Sequence, residues 1–220
     1  MEHDIFTLME RAIGSMQSYI EQGYVLATGL SGGKDSTCAM VLMLEAVRRA
    51  KSRNPDVRHY VISADTTIDN PTTSNFLHSL LEEVTLFVEE AGSPVEVHVT
   101  QPSLASQFVV QTIGRGTLVR TPENGVRNGK RVRACASYKV RPIGKLRTLL
   151  EQKANAAGVR ETISVIGNRL DESQSRGRAM LERDEQADAA TRQASGTLTL
   201  SPLRDLRTSF ERNECPCKFA

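Results

Sequence analysis

At 220 residues, with 39% hydrophobic and 25% charged residues, the chain has the make-up of an ordinary globular domain and can bury a core without staples. No apolar run approaches the ~20 residues of a membrane helix, and Met1–Arg11 carries no signal-peptide pattern, so collagen, coiled coil and membrane span are excluded and a soluble, cytoplasmic protein is expected. The net charge of +2 hides an asymmetry: 115–147 holds ten Lys or Arg against the single acid Glu123, and the remainder is net acidic. That segment suits an anionic partner or is a solvated basic face.

Residues 4–22 place Ile5, Leu8, Met9, Ala12, Ile13 and Met16 at helical spacing, and Gly23 ends the helix. Tyr24–Leu30 reads as a buried strand. Ser31-Gly-Gly-Lys-Asp-Ser36 follows, then a helix over Thr37–Ala50 that is apolar on most of its circumference and should pack on more than one side. Val57–Ala64 reads as a second strand and Pro71–Ala91 as a helix with Phe76, Leu77, Leu80, Leu81, Val84, Phe87 and Val88 inward. Pro94–Val99 is a third strand, Ser103–Ile113 a short helix and Gly114–Gly129 a loop. Beyond Pro142 a helix runs to Ala156 with Ile143, Leu146, Leu149 and Leu150 inward. Thr162–Ile166 is a fourth strand, Glu172–Glu185 a charged helix or ordered loop, and Leu198–Leu203 one more strand. Strands alternating with helices predict one α/β domain over 1–220, a parallel sheet with helices on both faces. Ligands of such sheets lie outside the carboxyl ends of the strands.

The loop after the first strand is where backbone N–H groups and the positive end of a helix dipole meet an anion. Gly32 and Gly33 let the main chain come close, Ser31 and Ser36 add hydroxyls and Lys34 adds charge, so phosphate is the expected guest. Thr28 and Asp35 stand where a Walker A loop needs Gly and Ser or Thr, which excludes that motif. An acid within a phosphate loop repels its ligand unless a cation intervenes, so Asp35 predicts bridging Mg²⁺. Cys38, inside the apolar helix, reads as a packed core thiol.

Ser31–Ser36 after a first strand resembles the PP-loop of the ATP pyrophosphatase superfamily, which cleaves ATP to AMP and pyrophosphate. Three further segments are similar to its phosphoadenosine-phosphosulfate-reductase-like branch: Asp65-Thr-Thr-Ile-Asp-Asn-Pro71; Arg131-Val-Arg-Ala-Cys135 with Lys139 and Pro142; and Gly167-Asn-Arg-Leu-Asp-Glu-Ser-Gln-Ser-Arg176. Ser201-Pro-Leu-Arg-Asp-Leu206 resembles a short segment of the same branch. Asp69 replaces that branch's usual glutamate. The likeness is nearest to the ATP pyrophosphatase subunit of bacterial DNA phosphorothioation systems, a defence and modification function.

That resemblance implies an adenine nucleotide alpha hydrolase-like fold, with ATP and Mg²⁺ as cofactors. It implies that Gly32, Gly33, Lys34, Asp35 and Ser36, with Ser31, hold the β- and γ-phosphates, with Mg²⁺ near Asp35. Asp65 takes the ribose or adenine side or caps a turn. Gly167 admits the adenosine, and Arg169 and Arg176 bind the α-phosphate or leaving pyrophosphate, Arg176 being equally readable as surface charge. Lys34, Asp35, Ser36 and Arg169 are the implied catalytic set. DNA is the implied partner, touched by Arg131, Arg133 and Lys139, together with a cysteine desulfurase and the other phosphorothioation proteins. Self-association through the helix at 71–91 is open. Members of this type carry an iron–sulfur cluster on four cysteines; here Cys135, Cys215 and Cys217 are the candidates, and a persulfide-accepting thiol or plain thiols are the alternatives. Two other readings stand beside the pyrophosphatase. One is a phosphoadenosine- or adenosine-phosphosulfate reductase, whose Glu-Cys-Gly-x-His tail Glu214-Cys-Pro-Cys217 matches in part. The other is a non-catalytic nucleotide-sensing subunit.

Overall fold

The computed structural model describes residues 5–50, 56–112, 125–127, 130–132 and 139–206. Helix α1 (Ile5–Glu21) turns at Gly23 into β1 (Val25–Leu30), α2 (Lys34–Arg49), β2 (His59–Ala64), α3 (Pro71–Glu90) and β3 (Val95–Thr100). A 3-10 turn (Leu104–Ser106) and the single-turn α4 (Phe108–Thr112) lead to a hairpin of β4 (Gly125–Arg127) and β5 (Lys130–Val132). Then come α5 (Arg141–Ala156), β6 (Thr162–Val165), α6 (Gln174–Glu182), β7 (Thr191–Arg192) and β8 (Leu198–Leu200).

The main sheet has the order β3-β2-β1-β6-β8-β7. Its first five strands are parallel and β7 pairs antiparallel with β8 at the edge. The chain winds outward from β1 to β3, then crosses to β6 on the other side of β1. The direction of winding therefore reverses between β1 and β6, and their carboxyl-end loops diverge there to leave a crevice.

The core is lopsided. On one face, Ala12, Ile13 and Met16 of α1, Ala39, Met40 and Met43 of α2, and Leu77, Leu81 and Val84 of α3 pack over Leu26, Val61 and Ile163. The opposite cluster is small: Leu150 and Ala154 of α5 against Val25, Ala27, Tyr60 and Ile62. Each fully buried side chain of this size contributes about 1.5–3 kcal/mol. Helix α2 packs against both α1 and β1, as its apolar circumference predicts. At the amino end of β2, buried His59 replaces a ladder bond: its Nδ1 accepts the Leu26 N–H at 3.0 Å. Burial alone pushes that imidazole down to about 4, so the ring is neutral in the folded protein.

Four expectations change. Phe76 and Phe87 are 56% and 54% exposed, because α3 buries only the narrow stripe Leu77, Leu81, Val84 and Val88. Leu149 is likewise exposed, one residue and about 100° round the helix from the buried Leu150. The helix expected over Ser103–Ile113 is divided between a 3-10 turn and α4. Gly125–Arg127, placed in a loop, is one arm of the β4–β5 hairpin. Among the described residues, no helix is long and apolar enough to cross a membrane.

Candidate nucleotide site

The crevice encloses about 410 Å³ and is lined by the loop after β1 and the segment after β6. Gly29, Ser31, Gly33, Lys34, Asp35 and Ser36 form one wall; Val165, Ile166, Gly167, Asn168, Glu172 and Arg176 form the other. Helix α2 begins inside the motif, at Lys34, with Gly33 as its N-cap and no side-chain cap bond. Of the other helices that follow strands, α3 and α6 have side-chain caps, whereas α5, like α2, has none. Asn70 accepts the Thr72 N–H at the start of α3, and Ser173 accepts the Arg176 N–H at the start of α6. The first N–H groups of a helix have no partner within it. At α2 they are left to face the crevice, which is the arrangement an anion completes.

The loop is braced by its serines. Ser36 Oγ donates to the Gly33 carbonyl at 2.9 Å and lies 3.1 Å from Ser31 Oγ, and the Ser31 N–H points to Ser36 Oγ at 3.3 Å. Gly32 adopts φ +74°, which a side chain rarely tolerates, and the Phe76 and Leu77 side chains pack against its back.

The opposite wall presses directly on the loop. A Cβ at Gly167 would lie 2.5 Å from the Asp35 carbonyl oxygen and 2.7 Å from its carbon. The resemblance assigns this glycine to the approach of adenosine. In the structure its lack of a side chain lets β6 dock on the first turn of α2. Gly177 of α6 has the same relation to the Leu170 carbonyl, 2.6 Å from its Cβ position, and so seats α6 against the segment that carries Arg169.

Arg169 is 8% exposed and reaches Asp35 at 3.3 Å and Asp171 at 3.4 Å. The cation that offsets the acid of the phosphate loop is thus a guanidinium of the facing strand segment. Arg176 forms an ion pair with Glu172, one turn away on the same wall. Glu172 and Asn168 lie within the quoted motif, yet only the geometry shows that they line the crevice. Mg²⁺ commonly takes one or two carboxylates and completes its shell with substrate phosphates and water. Asp35, a hard oxygen donor on the crevice wall, fits that pattern. Among the described residues, no three His, Cys, Asp or Glu gather as a cage.

Asp65 does not line this crevice. Its Oδ1 accepts the Thr67 N–H at 2.9 Å and its Oδ2 accepts Gln101 Nε2 at 2.9 Å, with His78 3.8 Å away. The first of these contacts caps the turn in which Thr67 adopts φ +62°. Cys38 packs partly buried on the core, and burial, with the nearby Asp35 charge, pushes its thiol up. It is accordingly no thiolate nucleophile. Lys139 is exposed ahead of α5. Arg133, Cys135, Cys215, Cys217 and the side chain of Arg131 lie outside the described residues, and with them most of the basic segment and the iron–sulfur reading.

A parallel sheet with an uncapped glycine loop at its switch point defines an α/β protein of the PP-loop type. Residues 25–208 match the phosphoadenosine phosphosulfate reductase domain family, and the chain belongs to that family. Among solved structures it is similar to the NAD+ synthetase from Burkholderia pseudomallei, at 14% identity and a TM-score of 0.39 over 82% of this chain and 75% of that one. No curated protein matches it.

Proposed function

We propose that this chain is an ATP pyrophosphatase that activates a DNA backbone phosphate for sulfur incorporation. The observation that carries the reading is the uncapped amino end of α2, with Lys34, Asp35 and Ser36 on its first turn, facing Arg169 across the switch point. In this reading the N–H groups of that turn, with Lys34, hold the β- and γ-phosphates. Arg169 is a fork donor placed at the α-phosphate side. A phosphate oxygen of the acceptor attacks the α-phosphorus, its bond to the bridging oxygen breaks, and pyrophosphate leaves with the bonding pair. The acceptor keeps AMP as an oxygen-linked leaving group for a later sulfur nucleophile. Mg²⁺ on Asp35 would neutralise charge on the departing phosphates. No acid–base dyad is required, because positioning and charge neutralisation supply most of the rate in phosphoryl transfer.

The DNA acceptor, a cysteine desulfurase partner and the phosphorothioation role are supported by the motif likeness and by the basic 115–147 segment, suited to a phosphate backbone. The family name favours a second reading, a thiol-dependent reductase of a sulfonucleotide. One experiment separates the two. Purified protein is given ATP, Mg²⁺ and DNA, and AMP, ADP and pyrophosphate are quantified. The pyrophosphatase reading expects pyrophosphate equimolar with AMP, counted as free nucleotide plus AMP bound to the DNA. ADP with phosphate, or no pyrophosphate at all, rejects it.

A further inference from the structure

We infer that Glu172 makes the crevice selective for a metal-complexed polyphosphate over the free anion. This rests on the reading of the crevice as a polyphosphate site. Among the described residues, its walls and their immediate support contain three cations, Lys34, Arg169 and Arg176, and three carboxylates, Asp35, Asp171 and Glu172. Two of the cations already face carboxylates: Arg169 lies between Asp35 and Asp171, and Arg176 is paired with Glu172. Among the described residues, the crevice therefore offers an arriving anion a helix N-terminus and one lysine, but no excess of arginine charge.

A polyphosphate that uses Arg176 must take it from Glu172. Both residues line the same 410 Å³ space, so the released carboxylate lies within reach of the ligand. Two like charges at that range, in a partly desolvated crevice, repel more strongly than in bulk water. A divalent cation arriving with the polyphosphate removes the conflict, because it lowers the anion's charge and gives the freed carboxylate an opposite partner. A metal-free polyphosphate has no such compensation.

Glu172 thus acts as a specificity-determining residue. It holds Arg176 while the crevice is empty and penalises an anion that comes without its metal. The pair is part-exposed, Glu172 at 34% and Arg176 at 46%, so the exchange costs little and is readily reversed.

The test is calorimetric titration of the full chain with inorganic pyrophosphate, with Mg²⁺ and with Mg²⁺ replaced by a chelator, for the wild type, Glu172→Gln and Glu182→Gln. Glu182, at the far end of α6, controls for the loss of one negative charge. The wild type is expected to prefer the magnesium complex. Glu172→Gln is expected to bind metal-free pyrophosphate about tenfold more tightly, narrowing the ratio by that factor, while Glu182→Gln leaves it unchanged. A ratio in Glu172→Gln equal to that of the wild type overturns the inference and leaves the polyphosphate site standing. Equal narrowing in Glu182→Gln overturns it too, since net charge then suffices. Absence of pyrophosphate binding by a folded wild type, with and without Mg²⁺, overturns both the inference and the site.

Discussion

Among the described residues, two of the concavities are opposite in character. The crevice between β1 and β6 holds about 410 Å³ and carries charged groups from both walls. The groove between α2 and α3 holds about 720 Å³ and is floored by Met40, Leu44, Leu80, Val84 and Phe87. The groove is larger, and its charged groups, Glu45, Glu83 and Arg48, stand on the flanking helices α2 and α3. Glu45 is already engaged by Arg48 and Arg49. In the crevice, a helix amino end, a lysine and two arginine–carboxylate pairs meet at a switch of winding direction. Volume measures how helices fit together; convergent donors at strand ends mark where chemistry is done.

The sharpest way to break this contrast is to fill the contact that assembles the crevice. Gly167→Ala places a Cβ 2.5 Å from the Asp35 carbonyl oxygen and forces β6 and α2 apart. Displacement of about 1 Å at a reacting centre costs about 100-fold in rate, so release of pyrophosphate from magnesium ATP should slow by that order. Urea unfolding should show a concurrent loss of about 1–3 kcal/mol from overpacking.

The groove region carries a pH signature of its own. His59 borders the groove, and its titration is held down to about 4 against 6.5 for the free side chain. Between these values the unfolded chain binds a proton that the folded one refuses. Stability is therefore complete above pH 6.5 and declines as the pH falls, by about 3 kcal/mol at pH 4. Urea melts over this range check it, and His59→Gln should remove that share of the slope.

Lys34→Ala takes one charged donor from the crevice. Affinity for pyrophosphate should fall by about 1.5–3 kcal/mol, the worth of a charged hydrogen bond, with the thermal midpoint unmoved. The smallest effect belongs to the groove: Phe87→Ser, at a half-exposed position, should change stability by about 0.5 kcal/mol or less and leave nucleotide affinity as it was.

Much of this was legible in the chain. The strand–helix alternation from Tyr24 to Ile166 dictates the parallel sheet, because burial on both faces imposes near-continuous apolar strands such as His59–Ala64. The glycine loop at the crevice was legible because glycines, Lys34 and two serines occur together at a strand-to-helix junction. What stayed hidden depends on contacts between distant segments. Nothing local tells that Gly167 rests on the Asp35 carbonyl, that Arg169 is the partner of Asp35, or that Glu172 and Arg176 share a wall with Lys34. The exposure of Phe76 and Phe87 was hidden for the same reason. Periodicity shows that a helix has an apolar face, while its neighbours decide how wide a stripe is covered. The contacts of Asp65 with the Thr67 N–H and Gln101 were hidden in the same way.

The central claim, that the nucleotide phosphates occupy the crevice and not the larger groove, is tested most directly by one calorimetric comparison. Magnesium ATP is titrated into the wild type, Lys34→Ala and the groove variant Phe87→Arg. Binding that is lost or sharply weakened in Lys34→Ala and unaltered in Phe87→Arg is the predicted result. Binding that survives intact in Lys34→Ala, or is abolished only in Phe87→Arg, contradicts it.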